Sequence, residues 1–354
     1  MTKILYAVSP IGLGHASRAV AVCLKLRARG HDIELASGGG AASFLRSYGF
    51  GVHDIVIEPT PDALDGVMKR PALWYWRYWS EYRHTKERML RLIELTAPDL
   101  VIGDEEFSSV ALAVEKGIDN ALISDELELG FANGVLSRII ERRVSRWYSN
   151  LQRSVAHILI PDFGTDTGNM HFMSPAVREV TMPRDQVLAK LGLSPNASFI
   201  LFSASGSGIG QFLLEPVIRS FSELGLTDTS LVVTGLARTP AEAGVICLGL
   251  ERDNQNLVAA ADLVISTAGK STIDEAKSYG SPIIVIPIKN HFEQERNATA
   301  LGFSYQDTAR MSQLIKEYVG RRTQPMKYSG ANNIAAYISG MVSSKSVGSQ
   351  RRVK

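Results

Sequence analysis

A histidine follows a glycine-rich turn near the start of the chain, where an apolar strand pattern gives way to a helical one. The stretch reads "AVSPIGLGHASR", with Gly12 and Gly14 in the turn and His15 at the expected helix start. Glycines let the backbone approach a ligand closely, and the first turn of a helix offers an anion N–H groups that have no intrahelical partner. The pattern predicts a phosphate site, and a tight connection without a ligand is the alternative.

A second strand-to-helix turn, "FILFSASGSGIGQ", repeats this arrangement at 199–211. Neither turn matches the dinucleotide-binding motif G-x-G-x-x-G, because Ser17 takes the place of the third glycine in the first turn. The stretch "AGKST" at 268–272 lacks the first glycine of a P-loop, since position 264 is Val. The sequence therefore disfavours NAD binding and excludes a P-loop.

The "AGKST" stretch nevertheless predicts a third anion site at a helix start. Gly269 lets the chain turn, and Ser271 and Thr272 lie at the beginning of the helical pattern. Glu275 falls one turn further on, where a carboxylate can accept both hydroxyls of a ribose whose phosphates bind at the helix start. An ordinary helix-capping arrangement is the alternative.

Short apolar runs alternate with helical patterns along the chain, which is typical of parallel α/β sheets. Strands are expected at 3–9, 32–37, 52–58, 99–104, 120–125, 157–162, 199–205, 230–235, 244–250, 262–267 and 282–288. The stretch 161–184 is poor in periodicity and rich in Gly, Pro, Ser and Thr, so it indicates a domain boundary. The expected parts are an amino-terminal domain over 1–162, a linker over 163–185, a carboxy-terminal domain over 186–330, a helix over 331–343 and a flexible tail over 344–354.

Composition limits the function classes. The chain has 354 residues and a formal net charge of +2, which is too small to indicate nucleic-acid binding. Cys23 and Cys247 lie in patterns that predict a buried helix and a buried strand, and no His or Cys cluster has metal-ligand spacing. No signal peptide and no apolar run of the ~18 residues that span a membrane is recognisable. We expect a cytoplasmic protein without a metal, with attachment to the cytoplasmic face of a membrane as the alternative.

The motifs carry a family resemblance. The segment 266–298, "STAGKSTIDEAKSYGSPIIVIPIKNHFEQERNA", resembles the donor-binding segment of the MurG-like glycosyltransferases of family 28 type and GT-B fold. The stretch "SPIGLGHASR" resembles their amino-terminal glycine loop. The resemblance extends over most of the chain in element order. It implies an α/β protein with two Rossmann-like, doubly wound domains facing a central cleft, the acceptor on the first, the donor on the second, and a final helix crossing back.

The resemblance also implies roles for residues of the carboxy-terminal domain. Glu275 would hold the nucleotide ribose, Glu293 and Gln294 the hydroxyls of the donor sugar, and Ser205, followed by Gly206, would face the diphosphate. The family's bacterial enzyme has a Gln-Gln pair where this chain has Glu293 and Gln294, and an extra glycine in its first loop. The identities of donor and acceptor are therefore not carried over.

By the same resemblance, His15 faces the cleft near the anomeric carbon of the donor sugar. A neutral imidazole there can take the proton of the acceptor hydroxyl, or an N–H can stabilise the leaving diphosphate. The helix start is expected to lower its pKa, which suits the base role, and a packed or capping histidine is the alternative. Asp104, at the end of a predicted strand, either orients His15 or acts as the base itself. Glu105, Glu106 and Asp125 are rivals that the sequence does not rank.

Taken with the resemblance, the sequence predicts a transferase. It would move a hexose or N-acetylhexosamine from a nucleotide sugar, a UDP-sugar foremost, to a hydroxyl acceptor by metal-independent inverting displacement. No cofactor beyond this co-substrate and no nucleic acid is expected. A UDP-sugar epimerase or hydrolase of GT-B fold and a non-catalytic nucleotide-sugar-binding subunit are the alternatives.

The segment 69–91, "KRPALWYWRYWSEYRHTKERMLR", stands out on the acceptor side. It holds three of the four tryptophans and seven Lys or Arg with only two acids, and a second basic helix is expected over 137–153. Aromatic rings beside basic residues are typical of segments that lie on an anionic membrane, which would fit a lipid-linked acceptor. A helix whose aromatic residues pack on the core or stack on a sugar is the alternative.

Overall fold

A computed structural model of the chain describes residues 2–59, 63–69, 71–125, 135–204, 208–236, 238–239 and 242–350. The first half contains β1 (Lys3–Val8), α1 (Gly14–Ala28), β2 (Asp32–Ser37), α2 (Gly39–Ser47), β3 (Val52–Asp54), β4 (Ala63–Leu64), β5 (Val67–Met68), α3 (Pro71–Thr96), β6 (Leu100–Asp104), α4 (Phe107–Lys116), β7 (Asp119–Ile123), α5 (Val135–Ser154), β8 (His157–Ile160) and β9 (Met170–Phe172). Seven of these strands form one parallel sheet in the order β3-β2-β1-β6-β7-β8-β9, and β4 and β5 form a separate hairpin.

The second half forms a five-stranded parallel sheet. It contains α6 (Arg184–Lys190), β10 (Ser198–Ser203), α7 (Leu214–Leu224), β11 (Thr229–Thr234), β12 (Val245–Gly249), α8 (Asn254–Ala260), β13 (Leu263–Ser266), α9 (Lys270–Tyr279), β14 (Ile283–Val285), α10 (Phe292–Thr299), α11 (Met311–Tyr318) and α12 (Gly330–Gln350), with 3₁₀ turns at Ile209–Leu213 and Tyr305–Arg310. The sheet order is β12-β11-β10-β13-β14. The strand order reverses beside β1 in the first sheet and beside β10 in the second, so both sheets are doubly wound. In doubly wound sheets, binding sites lie at the carboxyl ends of the strands next to this reversal.

Every strand expected from the apolar runs is present, and both sheets are parallel as predicted. The hairpin of β4 and β5 and the short strand β9 are additions. Strand β9 lies inside the segment 163–185 that the sequence predicts as a linker, and it pairs with β8. The amino-terminal sheet therefore extends past residue 162.

The last helix packs on the first sheet. Ile334, Ala335 and Ile338 of α12 are buried in the same apolar cluster as α1 and β1. The Tyr337 hydroxyl lies 2.9 Å from His157 Nδ1, which ties the helix to β8. Helix α12 continues past residue 343, where the sequence predicts the end of the last helix, to Gln350.

One burial expectation is wrong. Cys23 is buried in α1 as predicted, whereas Cys247 is exposed. The reason is that β12 is an edge strand of its sheet, so one side of it lacks a neighbouring strand. Among the described residues, no helix combines the length and the apolar character needed to span a membrane.

Candidate active site

The carboxyl ends of the central strands of both sheets open into one cavity of about 210 Å³ between the two halves of the chain. Residues that the sequence singled out line it together: Gly12, Gly14, His15, Gly269, Ser271, Thr272, Glu275, Glu293 and Gln294. Asp104 does not line the cavity because it is completely buried. Ser205 and Gly206 lie outside the described residues.

The helices α1 and α9 begin opposite each other across this cavity. Neither helix start is capped by a side-chain hydrogen bond. A Cβ atom on Gly14 would lie 2.9 Å from the Ser271 hydroxyl oxygen, so the two helix starts approach closely at this glycine. Two uncapped helix starts direct their N–H groups and positive dipole ends at the same space, which favours an anion there.

His15 lies beside a buried ion pair. Its Nδ1 atom is 3.1 Å from Arg18 Nη2 and 3.5 Å from Asp104 Oδ1. Arg18 donates to both oxygens of Asp104, with Nη2 at 2.5 Å from Oδ1 and Nε at 3.1 Å from Oδ2, and the Tyr6 hydroxyl donates to Oδ2 at 3.0 Å. Arg18 also donates to Asp125. Asp104 is thus fixed by its neighbours directly beneath the imidazole.

The charges around His15 set the direction of its pKa. Burial and the Arg18 charge lower the pKa of His15, but the hydrogen bond to Asp104 and the negative charges of Asp104 and Glu105 together outweigh them, so the net pKa is raised. The lowering expected from the helix start is therefore wrong, because Asp104 lies closer to the ring than the sequence could indicate. Burial alone would raise the pKa of Asp104, yet the Arg18 charge holds it below its usual value. Asp104 is a stable carboxylate partner for the imidazole.

Glu105, Glu106 and Asp125, which the sequence could not distinguish as rivals of Asp104, have different surroundings in the structure. Glu106 accepts hydrogen bonds from Ser108 N and Ser109 N and caps α4, which is a structural role. Glu105 has a φ of 50°, a strained value for a residue other than glycine, and burial raises its pKa to about 7. Its Oε1 accepts from Asp125 N at 2.8 Å. Asp125 pairs with Arg18 and lines the cavity.

Glu275 is buried and already bonded to two side chains. Its Oε1 accepts a hydrogen bond from Arg178 Nε at 3.0 Å and from the Ser17 hydroxyl at 3.4 Å. Arg178 also donates to the Tyr48 hydroxyl at 3.1 Å and to the Arg252 carbonyl at 2.9 Å. Ser17 and Tyr48 belong to the first half of the chain, and Arg252 and Glu275 to the second. The predicted ribose ligand is therefore part of a network that joins both halves.

The far end of the cavity is formed by the start of α10. Gln294 Oε1 accepts from Ile288 N at 3.1 Å, which fixes the side chain and leaves its amide N–H₂ for other partners. Glu293 lines the cavity beside it. His291 also lines the cavity, and its buried Nδ1 atom has no hydrogen-bond partner within the described part of the chain. His291 is not among the residues predicted from the sequence, although it directly precedes α10, which carries Glu293.

Comparison with known proteins agrees with this arrangement. Residues 245–314 match the glycosyltransferase family 28 C-terminal domain, and residues 2–126 match glycosyl transferase family 1. An uncharacterized glycosyltransferase of Methanosarcina acetivorans is 25% identical, over 84% of this chain and 83% of that protein. The Rhizobium meliloti UDP-N-acetylglucosamine--N-acetylmuramyl-(pentapeptide) pyrophosphoryl-undecaprenol N-acetylglucosamine transferase is 25% identical, over 87% of this chain and 81% of its own.

Solved structures resemble the fold of the whole chain. The spinosyn rhamnosyltransferase SpnG in complex with thymidine diphosphate matches with a TM-score of 0.61 at 15% identity, over 90% of this chain and 91% of its own. The glycotransferase of kitacinnamycin matches with a TM-score of 0.59 at 16% identity, over 88% and 90%. The chain is a glycosyltransferase of GT-B fold.

Some residues of this glycosyltransferase could be found from sequence and others could not. Arg18 lies one helical turn after His15, so its position on the same face of α1 was accessible to a periodicity argument. Arg178 comes from the aperiodic segment before α6, and no local pattern indicates that it reaches Glu275. No group of three or more His, Cys, Asp or Glu suited to a metal ion occurs among the residues that the glycosyltransferase structure describes. Metal independence stays a prediction.

Proposed function

We propose that the protein transfers a hexose or N-acetylhexosamine from a UDP-sugar to a hydroxyl acceptor with inversion at the anomeric carbon. One observation carries the proposal: the uncapped start of α9 and Glu275 share one cavity with the uncapped start of α1, which carries His15, and Asp104 is fixed behind the imidazole. The resemblance to a transferase that is named for UDP-N-acetylglucosamine supports the choice of donor.

Each part of the donor has a place in this proposal. The diphosphate lies between the starts of α1 and α9, where N–H groups and the Ser271 and Thr272 hydroxyls stabilise it. Glu275 Oε2 accepts the ribose hydroxyls, because its one hydrogen bond, from Arg178 Nη2, is long at 3.5 Å, whereas Oε1 is held by both Arg178 and Ser17. Glu293 and the amide of Gln294 bind hydroxyls of the sugar.

In the proposed step, His15 Nε2 removes the proton of the acceptor hydroxyl. The acceptor oxygen forms a bond to the anomeric carbon while the bond from that carbon to the phosphate oxygen breaks, and UDP leaves with the electron pair. The imidazolium that forms is stabilised by Asp104, whose Oδ1 lies 3.5 Å from Nδ1. Asp104 is therefore a positioning residue that acts through His15. Arg18 balances the carboxylate charge, which limits how far the pKa of His15 rises.

We also propose that the acceptor is presented at an anionic membrane surface. Of the three tryptophans in 69–91, Trp74 donates to the Pro59 carbonyl and Trp79 packs on Trp147, whereas Trp76 is 69% exposed. The exposed side chains in the described part of α3 recur at helical spacing and include four arginines and one histidine against two glutamates: Leu73, Trp76, Arg77, Ser80, Arg83, His84, Glu87, Arg88, Arg91, Glu94 and Leu95. The exposed Leu73 and Trp76 side chains lie beside the exposed arginines of α3. Apolar residues next to basic ones suit binding to an anionic membrane surface.

A product assay separates the proposal from its alternatives. The protein is incubated with UDP-glucose, UDP-galactose, UDP-N-acetylglucosamine and UDP-N-acetylgalactosamine, with and without a lipid extract, while UDP release and product mass are followed. A transferase releases UDP and adds the sugar mass to an acceptor. Sugar released or epimerised without an acceptor indicates the hydrolase or epimerase, and UDP binding without turnover indicates the non-catalytic subunit.

A further inference from the structure

A second, larger cavity of about 640 Å³ lies against another face of α9. Lys270, Ile273, Asp274 and Lys277 line it at helical spacing, whereas Ser271 and Glu275 line the first cavity from the adjoining face. Its opposite wall comes from the segment after β8 and from the segment before α12. Asp125 and Lys270 line both cavities, so the two are neighbours.

The wall of this second cavity combines exposed rings with charges of both signs. Phe163 is 60% exposed, and its ring lies edge-on to that of Tyr328 with 5.7 Å between the centroids. The ionisable residues in the wall are three acids and three bases: Asp125, Asp162, Asp274, Lys270, Lys277 and Arg296. Equal numbers of opposite charges give no overall preference for an anion or a cation. Aromatic faces and paired charges together suit a neutral ligand that has both an apolar face and many hydroxyl groups.

Asp125 brings an unpartnered hydrogen-bond acceptor to the wall of the second cavity. Its side chain is 10% exposed, and Oδ2 pairs with Arg18. The other oxygen, Oδ1, is buried and has no partner within the described residues. A buried carboxylate oxygen without a donor is costly, so a ligand hydroxyl that donates to it would be favoured. Lys270 Nζ, 2.8 Å from Asp274 and 3.5 Å from Asp162, supplies donors close by.

We propose that the second cavity is a saccharide subsite for the acceptor, with a sugar ring against Phe163 and Tyr328 and its hydroxyls on Asp125, Asp162 and Lys270. This rests on the proposed function, because it assumes that the neighbouring cavity takes the donor. A sugar ring presents C–H groups to aromatic faces and hydroxyls to carboxylates and ammonium groups, which are the groups this wall offers. The acceptor would then be a glycoside, and Asp125 would join its site to the Arg18 and Asp104 pair beside His15.

Saturation-transfer NMR with simple glycosides tests the subsite. Methyl and octyl β-glycosides of glucose, galactose, mannose and N-acetylglucosamine are titrated into the wild type, Phe163→Ser and Asp162→Asn, with and without UDP. At least one sugar should bind the wild type, and both variants should weaken its affinity at least fivefold. Leu24→Ser, a change at an exposed apolar side chain of α1 that lines neither cavity, is the control and should bind as the wild type does. Tenfold tighter binding of the octyl glycoside would indicate a lipid-linked source, and equal binding a free saccharide.

Calorimetry with UDP separates this proposal from the proposed function. UDP affinity should be unchanged in Phe163→Ser, because Phe163 does not line the first cavity. A wild type that binds UDP but none of the glycosides overturns the subsite and leaves the donor site standing. Glycoside affinities that are the same in Phe163→Ser as in the wild type overturn it as well. A wild type that binds glycoside through Phe163 but does not bind UDP supports the subsite and contradicts the proposed donor.

Discussion

His15 lies between a carboxylate that favours its protonated form and a guanidinium that disfavours it. Asp104 Oδ1 and Arg18 Nη2 both lie within hydrogen-bonding or ion-pairing distance of Nδ1, and Glu105 adds a more distant negative charge. An Arg18 N–H can face Nδ1 only when that atom is an acceptor, whereas Asp104 needs it to be a donor. Nε2 can take up a proton only when the ring proton is on Nδ1, so in the base form Nδ1 donates to Asp104, and the positive charge gained at Nε2 strengthens that contact.

The first prediction concerns the pH dependence of turnover. A base must be neutral to work, and the pKa of His15 is raised above 6.5, so kcat/KM should rise with pH through that raised value and then level off. Asp104→Asn removes the main group that raises this pKa, so the rise should move to lower pH while the maximal rate falls. His15→Ala should lower turnover by roughly 10²-fold with little change in UDP affinity.

The control for this profile is Tyr6→Phe, which removes one hydrogen bond to Asp104 but keeps its charge. Its acidic limb should stay close to that of the wild type. If Asp104→Asn leaves the limb in place, Asp104 does not act through His15. If His15→Ala keeps its turnover but loses UDP, the imidazole binds the diphosphate instead.

The second prediction concerns Glu275. Glu275→Gln keeps the size of the side chain but weakens a charge-assisted hydrogen bond to ribose worth roughly 1.5–3 kcal/mol, so UDP should bind about tenfold to a hundredfold more weakly. The matched control is Glu293→Gln, which should leave the affinity for UDP unchanged and alter only that for the UDP-sugar, because UDP has no sugar ring. Equal UDP affinity in Glu275→Gln and wild type by calorimetry would place the ribose elsewhere.

Sequence alone could predict which of these residues meet, but not how they are charged. His15, Asp104 and Glu275 each follow or end an apolar strand pattern, and the carboxyl ends of parallel strands meet at one edge. The direction of the His15 pKa depends on sub-ångström differences between its distances to Asp104 and Arg18. The Arg178 contact spans 97 positions of the chain, and no local signal encodes such a contact.

At the scale of elements, the hairpin of β4 and β5 links the two halves on a second side of the cleft. Met68 N donates to the Lys289 carbonyl at 2.9 Å, and Lys289 N donates to the Gly66 carbonyl at 2.7 Å. The Tyr305 hydroxyl donates to the Asp65 carbonyl at 2.9 Å. Lys289 lies shortly before α10, so the hairpin fastens the segment that leads to Glu293 and Gln294.

The third prediction tests this contact. Gly66 has a φ of +70°, and a Cβ atom there would lie 2.5 Å from the Phe212 ring, so Gly66→Ala should displace the hairpin from the second half. Amide exchange at Met68 and Lys289 should become faster. Gly192→Ala is the control, because Gly192 has the same φ but no atom within 4 Å of a built Cβ. Both variants place an alanine at a positive φ, which costs about 1 kcal/mol of folding free energy in each case. If exchange at these amides is the same in both variants, the close contact with Phe212 does not hold the hairpin.

The elements that the sequence predicted and those it missed differ in length. Long apolar runs such as those of β1 and β10 bury every side chain but the first between helices and are recognisable alone. Strand β9 has three residues, none of them fully buried, and forms only because β8 offers an open edge. The hairpin had a local signal in the Asp65 and Gly66 pair, both at positive φ, which is the usual composition of a tight hairpin turn.

At the scale of the molecule, several separate contacts hold the two halves together around the cleft. Arg178 and Ser17 bond to Glu275, the hairpin bonds to Lys289, and α12 follows the second sheet in sequence but packs on the first. The sequence could predict two similar sheets from the repeated pattern. It could not predict how closely they approach, because that depends on single positions such as Gly14 against Ser271.

The last prediction concerns the surface formed by α3 and α5. Trp79 packs on Trp147 with 5.0 Å between ring centroids, so the two helices are in contact. Arg77, Arg83, Arg88 and Arg91 of α3 and Arg142, Arg143, Arg146 and Arg153 of α5 are exposed. Each basic residue near an anionic surface contributes about 1 kcal/mol before screening, and salt at 0.1 M screens charges beyond about 10 Å. The wild type should therefore sediment with phosphatidylglycerol-rich vesicles at low salt, and salt should release most of it.

Arg77→Glu combined with Trp76→Ser should stay in solution, whereas Arg321→Glu combined with Met326→Ser, an equal change on the second half of the chain, should sediment like the wild type. A wild type that stays in solution with every lipid composition would show that this basic face does not bind membranes, and the acceptor would then have to reach the cleft from solution.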